Sequence, residues 1–211
     1  MQTLKCLHTG DDIPYTISDG IDLRTTASLD MDWGEEKAKV FGQLIAENPD
    51  AVNDPAKWGE LFNSYQLSDF HWAWSQKARY YNSAEYFWFY LNADGKVQAA
   101  CIIKHPKESR LDSNNIFYVD YLAVAYWNRR RSGYVRRFDG VGTTLLMHAI
   151  NYSIDVLGCR PGFSLHSLPS SEGYYRNLQM TDYGIDANYQ DLRYFEASEP
   201  VARLIAQGAT R

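Results

Sequence analysis

The sequence predicts a mixed α/β fold, and three observations carry that reading. EYFWFYLNADGKVQAACIIK contains two β-prone runs joined by an Asp-Gly turn, the pattern of a hairpin. NIFYVDYLAVA follows as a third strand, rich in side chains that suit a pleated, buried surface. An apolar stripe of helical period then precedes PGFSLHSL, another short strand. A hairpin followed by strand, helix and strand builds a mixed sheet packed with helices.

The remaining elements follow in order. Ile13 to Ser18 and Ile21 to Thr25 each fit a short strand. Gly34 to Asn48 reads as a helix, because Ala38, Phe41, Leu44 and Ile45 recur at helical spacing and Pro49 ends the run. Pro55 to Tyr65 is a second helix with proline near its start. Ser68 fits the N-cap of a third, DFHWAWSQKARYY. An arginine-rich loop, Tyr126 to Asp139, comes after the third strand. In the next helix Val141, Leu145, Ala149, Tyr152 and Val156 step by three and four, and Gly158 ends it. SSEGYYRNLQM is a short helix, TDYGI and LRYFEA are closing strands, and EPVARLIAQ is a terminal helix.

Composition narrows the class. With 45% hydrophobic and 15% aromatic residues, wholesale disorder is excluded. A chain of 211 residues suits one domain. Its expected parts are an N-terminal region of a strand and helices over 1–84, a core over 85–197 and a tail over 198–211. A net charge of −5 argues against an extended nucleic-acid track. The three cysteines, Cys6, Cys101 and Cys159, are too widely spaced for a disulfide framework or a zinc site, and the histidines show no metal spacing. No run approaches the roughly 18 apolar residues of a membrane span. A cytoplasmic protein without a metal is expected, and a homodimer is compatible with the sequence.

The chemistry concentrates in RRFDGVGTTLLMHA, residues 136–149. A helix start offers unpaired N–H groups and partial positive charge, and glycines let a ligand approach that backbone. A phosphate is the natural guest. No lysine follows the glycines, so this is not a P-loop. Leu145 occupies the third glycine position of a dinucleotide fingerprint, and the preceding strand lies too far back for its tight turn. What remains is R-x-x-G-x-G, matched by Arg137, Gly140 and Gly142.

In this order, YLAV, the arginines, DGVGTTLL and EGYYRNLQM resemble the GNAT superfamily of N-acetyltransferases over about residues 85–197. The resemblance implies a mostly antiparallel sheet that splays between two parallel strands, flanked by helices. It implies acetyl-CoA as co-substrate and a primary amine as acceptor. Leu122, Ala123 and Val124 match the strand whose main chain holds the thioester and pantetheine arm. Arg137 to Thr143, including Gly140, Val141 and Gly142, match the pyrophosphate loop. Arg129 stands where the family arginine would follow the strand, so the match belongs to Arg129, Arg137 or both. Tyr175, with Tyr174 before it, matches the tyrosine that protonates the departing thiolate. The chain departs from the family pattern in an insertion over 130–137 and in Asp139 within the motif. Leu168 replaces a frequent asparagine, for which Ser167 or Ser170 could substitute in holding the coenzyme. Gln179 replaces a usual glycine.

Acetyl transfer needs an amine made neutral and a proton for the thiolate. Asp120, two residues before Leu122, is the candidate base; a structural hydrogen bond near a strand end is its competing role. His166 lies beside the expected cleft, with a satisfied strand position as its alternative. Cys159 follows the helix end, where the dipole raises a thiol pKa, and Cys101 reads as core. Direct transfer without an acyl-enzyme is therefore expected. The aromatic residues of the N-terminal half either wall the acceptor site or pack the helices. RRRSGYVRR also fits an RNA grip, so an aminoacyl-tRNA acceptor is an alternative. A catalytically silent acyl-CoA-binding or interaction module is another.

Overall fold

A computed structural model describes residues 2–208, apart from the side chains of Val52, Asn53 and Pro55. Residues 209–211 of the expected tail lie outside the described residues. The chain opens with β1 (Thr3–Lys5) and β2 (Asp12–Asp19), followed by α1 (Leu23–Glu47), α2 (Pro55–Ser64) and α3 (Trp74–Tyr80). The hairpin is β3 (Tyr86–Ala93) and β4 (Lys96–Glu108), and β5 (Asn115–Val124) lies beside it. After the arginine-rich loop come α4 (Val141–Asp155), β6 (Phe163–Ser167), α5 (Glu172–Asn177), β7 (Thr181–Asp186), β8 (Leu192–Ala197) and α6 (Glu199–Ala206).

The eight strands form one sheet in the order β1-β2-β3-β4-β5-β6-β8-β7. Every neighbouring pair is antiparallel except β5 with β6. Alternation divides each central strand between two cores. Phe89, Leu91, Cys101 and Ile103 pack with Leu145, Leu146 and Ala149 of α4 and Ala202 and Ile205 of α6. Trp88, Tyr90, Ala100 and Ile102 pack with Leu29, Trp33, Val40 and Leu44 of α1 and Trp74 and Ala78 of α3. Burial on both faces explains the nearly continuous apolar runs in β3 and β4.

Three expectations are corrected. Ile21 to Thr25 is not a strand: Asp22 caps α1, its side chain accepting from the Arg24 amide at 2.9 Å. The helix thus begins eleven residues before Gly34, with Thr26, Leu29 and Trp33 already on its buried face. Ser68 does not cap α3. Its hydroxyl donates to Asn63 Oδ1, while the two oxygens of Asp30 receive the amides of Trp74 and Ser75 at the true helix start. Val156 lies past the end of α4 and is exposed.

Candidate active site

The parallel pairing of β5 with β6 is brief. It covers Phe117 to Val119 against Phe163 to Leu165, and beyond it the strands part. At the point of parting β5 carries a bulge. Tyr121 pairs with Ile102 and Val119 with Ile103, so Asp120 is the extra residue. A bulge bends its strand and re-aims side chains. Leu122 and Val124 consequently pack toward α4, while Tyr121 and Ala123 join the core under α1 and α3.

Asp120 is partly buried, and its Oδ2 is wholly buried with no hydrogen-bond partner among the described residues. Burial pushes its carboxyl up to about 7; Lys104 and Lys77 pull it down and Glu85 pushes it up. Such a group exchanges a proton near neutral pH.

Tyr175 belongs to the core on the α4 face of the sheet. Its ring packs against Phe195 of β8, the partner of Leu165, and it senses Cys101 of β4, the partner of Leu122. It is 7% exposed, deeper than the open cleft position expected of it, and burial keeps its phenol protonated. Tyr174 takes the more open place. Its hydroxyl and the Thr143 hydroxyl are 2.9 Å apart, joining α5 to the first turn of α4.

Glycine serves two different needs at that turn. Gly140 has φ of +69° and precedes the helix. At Gly142 a Cβ would come within 3.1 Å of Val124 Cγ1, so the helix start sits directly on the end of β5. Asp139 does not repel an anion there by free charge: its Oδ1 receives both Arg136 and the Gly140 amide at 2.7 Å.

The arginines divide differently from expectation. Arg129 is buried and takes no part in an open anion site. It grips both oxygens of Asp69 at 2.6 and 2.8 Å, donates to the Gln66 carbonyl at 2.7 Å, and its Nε donates to the Val124 carbonyl at 2.9 Å. A buried guanidinium needs such partners, and Asp69 supplies the charge. Arg137 is partly exposed and paired with Asp94 of the hairpin turn. The loop itself is pinned by the fully buried Gln98, whose Oε1 receives Trp127 Nε1 and Asn128 Nδ2, while Asn128 Oδ1 receives the Phe138 amide. Ser170 lies partly buried in the short turn Pro169–Ser171 before α5, near the helix that carries both tyrosines.

His166 is tethered at both nitrogens. Nδ1 shares a hydrogen bond with the Tyr118 hydroxyl at 2.7 Å, and Nε2 meets Asp186 at 3.2 Å. Its ring stacks on Tyr189 with centroids 4.0 Å apart. Burial pushes its pKa below the usual value, against the pull of Asp186. Lys77 of α3 was missed in the sequence. Its ammonium lies 3.3 Å from the Tyr121 ring centroid and 4.7 Å from that of Trp72. The N-terminal aromatics do pack: Trp33, Trp74 and Trp88 form edge contacts between α1, α3 and the sheet. Among the described residues no helix is long and apolar enough to cross a membrane.

The sequence matches no protein-family model, and no curated protein matches it in sequence. Solved structures do resemble it in fold. FeeM, an N-acyl amino acid synthase from uncultured soil microbes, aligns with a TM-score of 0.55 and 8% identity, covering 93% of this chain and 97% of that one. The protein of the KacTA–DNA complex aligns with a TM-score of 0.52 and 13% identity, covering 92% and 99%. The chain shares the fold of these two structures, and its mostly antiparallel sheet that opens at one parallel pair is the one expected from its motifs.

Two outcomes follow for stability. Removing one partner of a buried ion pair costs about 3–5 kcal/mol. Arg129→Ala should therefore lower Tm by roughly 10 °C at the few degrees per kcal/mol usual for this size. A shift below about 2 °C in calorimetry would show that Arg129 is not buried with Asp69. For Asp120, the folded-state pKa of about 7 lies above that of a free aspartate. The folded chain thus holds this proton more tightly than the unfolded one, and stability falls as pH rises from about 4 through 7. Asp120→Asn should raise Tm at pH 8, with the gain fading toward pH 4. A gain independent of pH overturns the assignment.

Proposed function

We propose that this chain is an acetyl-CoA-dependent N-acetyltransferase that moves an acetyl group directly to a primary amine. The observation that carries the proposal is the unpartnered Asp120 oxygen at the bulge where β5 leaves β6. An orphaned carboxylate on the splayed strand, with a phenol kept protonated by burial on α5, fits the base and acid of acyl transfer.

In this reading the pantetheine arm lies along Leu122, Ala123 and Val124 as a surrogate strand, and the pyrophosphate sits at the start of α4. Val141, Gly142 and Thr143 offer first-turn amides to it. Arg137 turns from Asp94 toward the phosphates, and Ser170 borders the coenzyme. The tight seat of Gly142 on Val124 supports this, because it brings the helix start to the end of the splayed strand.

The steps use this chain's own groups. Asp120 takes a proton from the incoming ammonium. The neutral amine attacks the thioester carbonyl, the C–S bond breaks, and the thiolate receives the Tyr175 proton. Burial pushes both the Cys101 and Cys159 thiols up, so neither is an activated nucleophile, and direct transfer fits better than an acyl-enzyme. An RNA acceptor fits less well: Arg129, Arg136 and Arg137 of the basic loop are each held by an aspartate of this chain. A silent acyl-CoA-binding module remains the rival reading, and turnover with a panel of amines separates the two.

Melting with acetyl-CoA, CoA, NAD and ATP in parallel tests the co-substrate. Ligand at about 100 times its Kd adds roughly 2.7 kcal/mol, or about 5–10 °C here. The expected result is a shift with acetyl-CoA and CoA alone; no shift with either overturns the proposal. Given turnover, Asp120→Asn and Tyr175→Phe should each keep the coenzyme-induced shift and lower kcat by about 10²-fold. Asp120→Asn should also remove the acidic limb of the pH–rate profile near 7. Full turnover in Tyr175→Phe would return the acid to water or to Tyr174.

A further inference from the structure

Lys77 is held in an unusual place for a lysine. Its ammonium sits on the face of Tyr121 and near the face of Trp72, whose rings meet edge to face at 4.8 Å. The Tyr121 hydroxyl is fixed by that of Tyr81 at 2.8 Å, so the ring beneath the ammonium has a set position. Tyr121 is the residue between Asp120 and Leu122. The amine therefore lies over the side chain that directly follows the proposed base in β5.

Three carboxylates bear on that amine: Asp69, Asp120 and Asp30. Asp69 is gripped at both oxygens by Arg129, and Asp30 by the amides that start α3. Asp120 alone of the three has a buried oxygen without a partner. Lys104 and Glu85, which also act on Asp120, pair with each other at 3.3 Å. Of the carboxylates that bear on the Lys77 amine, Asp120 is thus the one with an oxygen open to a proton.

We propose that Lys77 is a self-acetylation site, its amine taking the acetyl group from acetyl-CoA bound to the same molecule. The proposal rests on the acetyl-CoA reading above. The Lys77 Nζ lone pair attacks the thioester carbonyl carbon and forms the C–N bond. The C–S bond breaks, the nitrogen's proton passes to the Asp120 carboxylate, and the thiolate takes the Tyr175 proton. The products are an N-acetyl-lysine and free CoA. Burial lowers the Lys77 pKa to about 8, so a substantial share of the amine is neutral near pH 7.5, against about one part in a thousand for an ordinary lysine. Acetylation also removes the positive charge from between Trp72 and Tyr121.

The test incubates the full chain with acetyl-CoA and no added amine, and maps acetylated peptides by mass spectrometry over time. The expected result is one acetyl group on the peptide carrying Lys77, gained at least 10-fold faster than on exposed lysines such as Lys39 and Lys57. The rate constant should not change on dilution of the protein. Lys77→Arg, which keeps the cation on the rings, should lose this fast label alone. Asp120→Asn should slow it at least 10-fold while the slow labelling elsewhere continues. Labelling no faster at Lys77 than at exposed lysines overturns the inference, as does a rate that falls with dilution. Should acetyl-CoA raise Tm while Lys77 stays unlabelled, self-acetylation fails and the acetyl-CoA reading stands. Should acetyl-CoA neither raise Tm nor label the chain, both fail together.

Discussion

A strand that leaves its neighbour must find other partners for its backbone, and the site depends on how β5 meets that demand. It stays paired to β4 as far as Val124 but to β6 only as far as Val119. The Val124 carbonyl is taken by the Arg129 side chain instead. That guanidinium is buried, so it needs a buried counter-charge, and Asp69 between α2 and α3 provides it. One cation therefore ends the splayed strand and docks the helices that cover the opposite face. The two faces of the sheet are held in register by the same group.

Two aspartates near the end of β5 show how differently burial can be resolved. Asp69 has both oxygens occupied by a fixed fork of donors. Asp120 has a buried oxygen with no donor, and its affinity for a proton rises accordingly. The bulge makes the second arrangement possible, because it adds a residue that the β4 ladder does not pair. Asp69 is held as a fixed counter-charge, whereas Asp120 keeps an oxygen open to a proton.

What was legible in the sequence followed local rules. The β3–β4 hairpin had its Asp-Gly turn, and α4 had its apolar stripe and terminal Gly158. The early start of α1 was hidden by Gly34, although Thr26, Leu29 and Trp33 already carried the helical spacing. The misplaced start of α3 has a tertiary cause, since the amides that open it are received by Asp30, more than forty positions earlier. Arg129, expected at the phosphate site, is likewise paired with Asp69, sixty positions earlier. No local pattern distinguishes an arginine that meets a distant aspartate from one that waits for an anion. Lys77 was missed for a like reason: its neighbours Tyr121 and Asp120 are brought to it by the sheet, not by the chain.

In the proposed reading the two ends of the gap make opposite electrostatic demands, and one short helix meets both. The start of α4 concentrates unpaired amides and partial positive charge, suited to a diphosphate. The far end needs neutral or weakly charged groups that can exchange protons. Helix α5 carries adjacent tyrosines whose rings meet edge to face, with centroids 5.1 Å apart, yet serve different neighbours. Tyr174 binds Thr143 at the charged end, while Tyr175 packs between Cys101 and Phe195 at the other. Because both rings leave the same turn of helix and touch each other, the Thr143 contact of Tyr174 and the Phe195 packing of Tyr175 are fixed together. In the proposed reading, a co-substrate that spans the gap would have its anchor and its reacting end held by that one pair of rings.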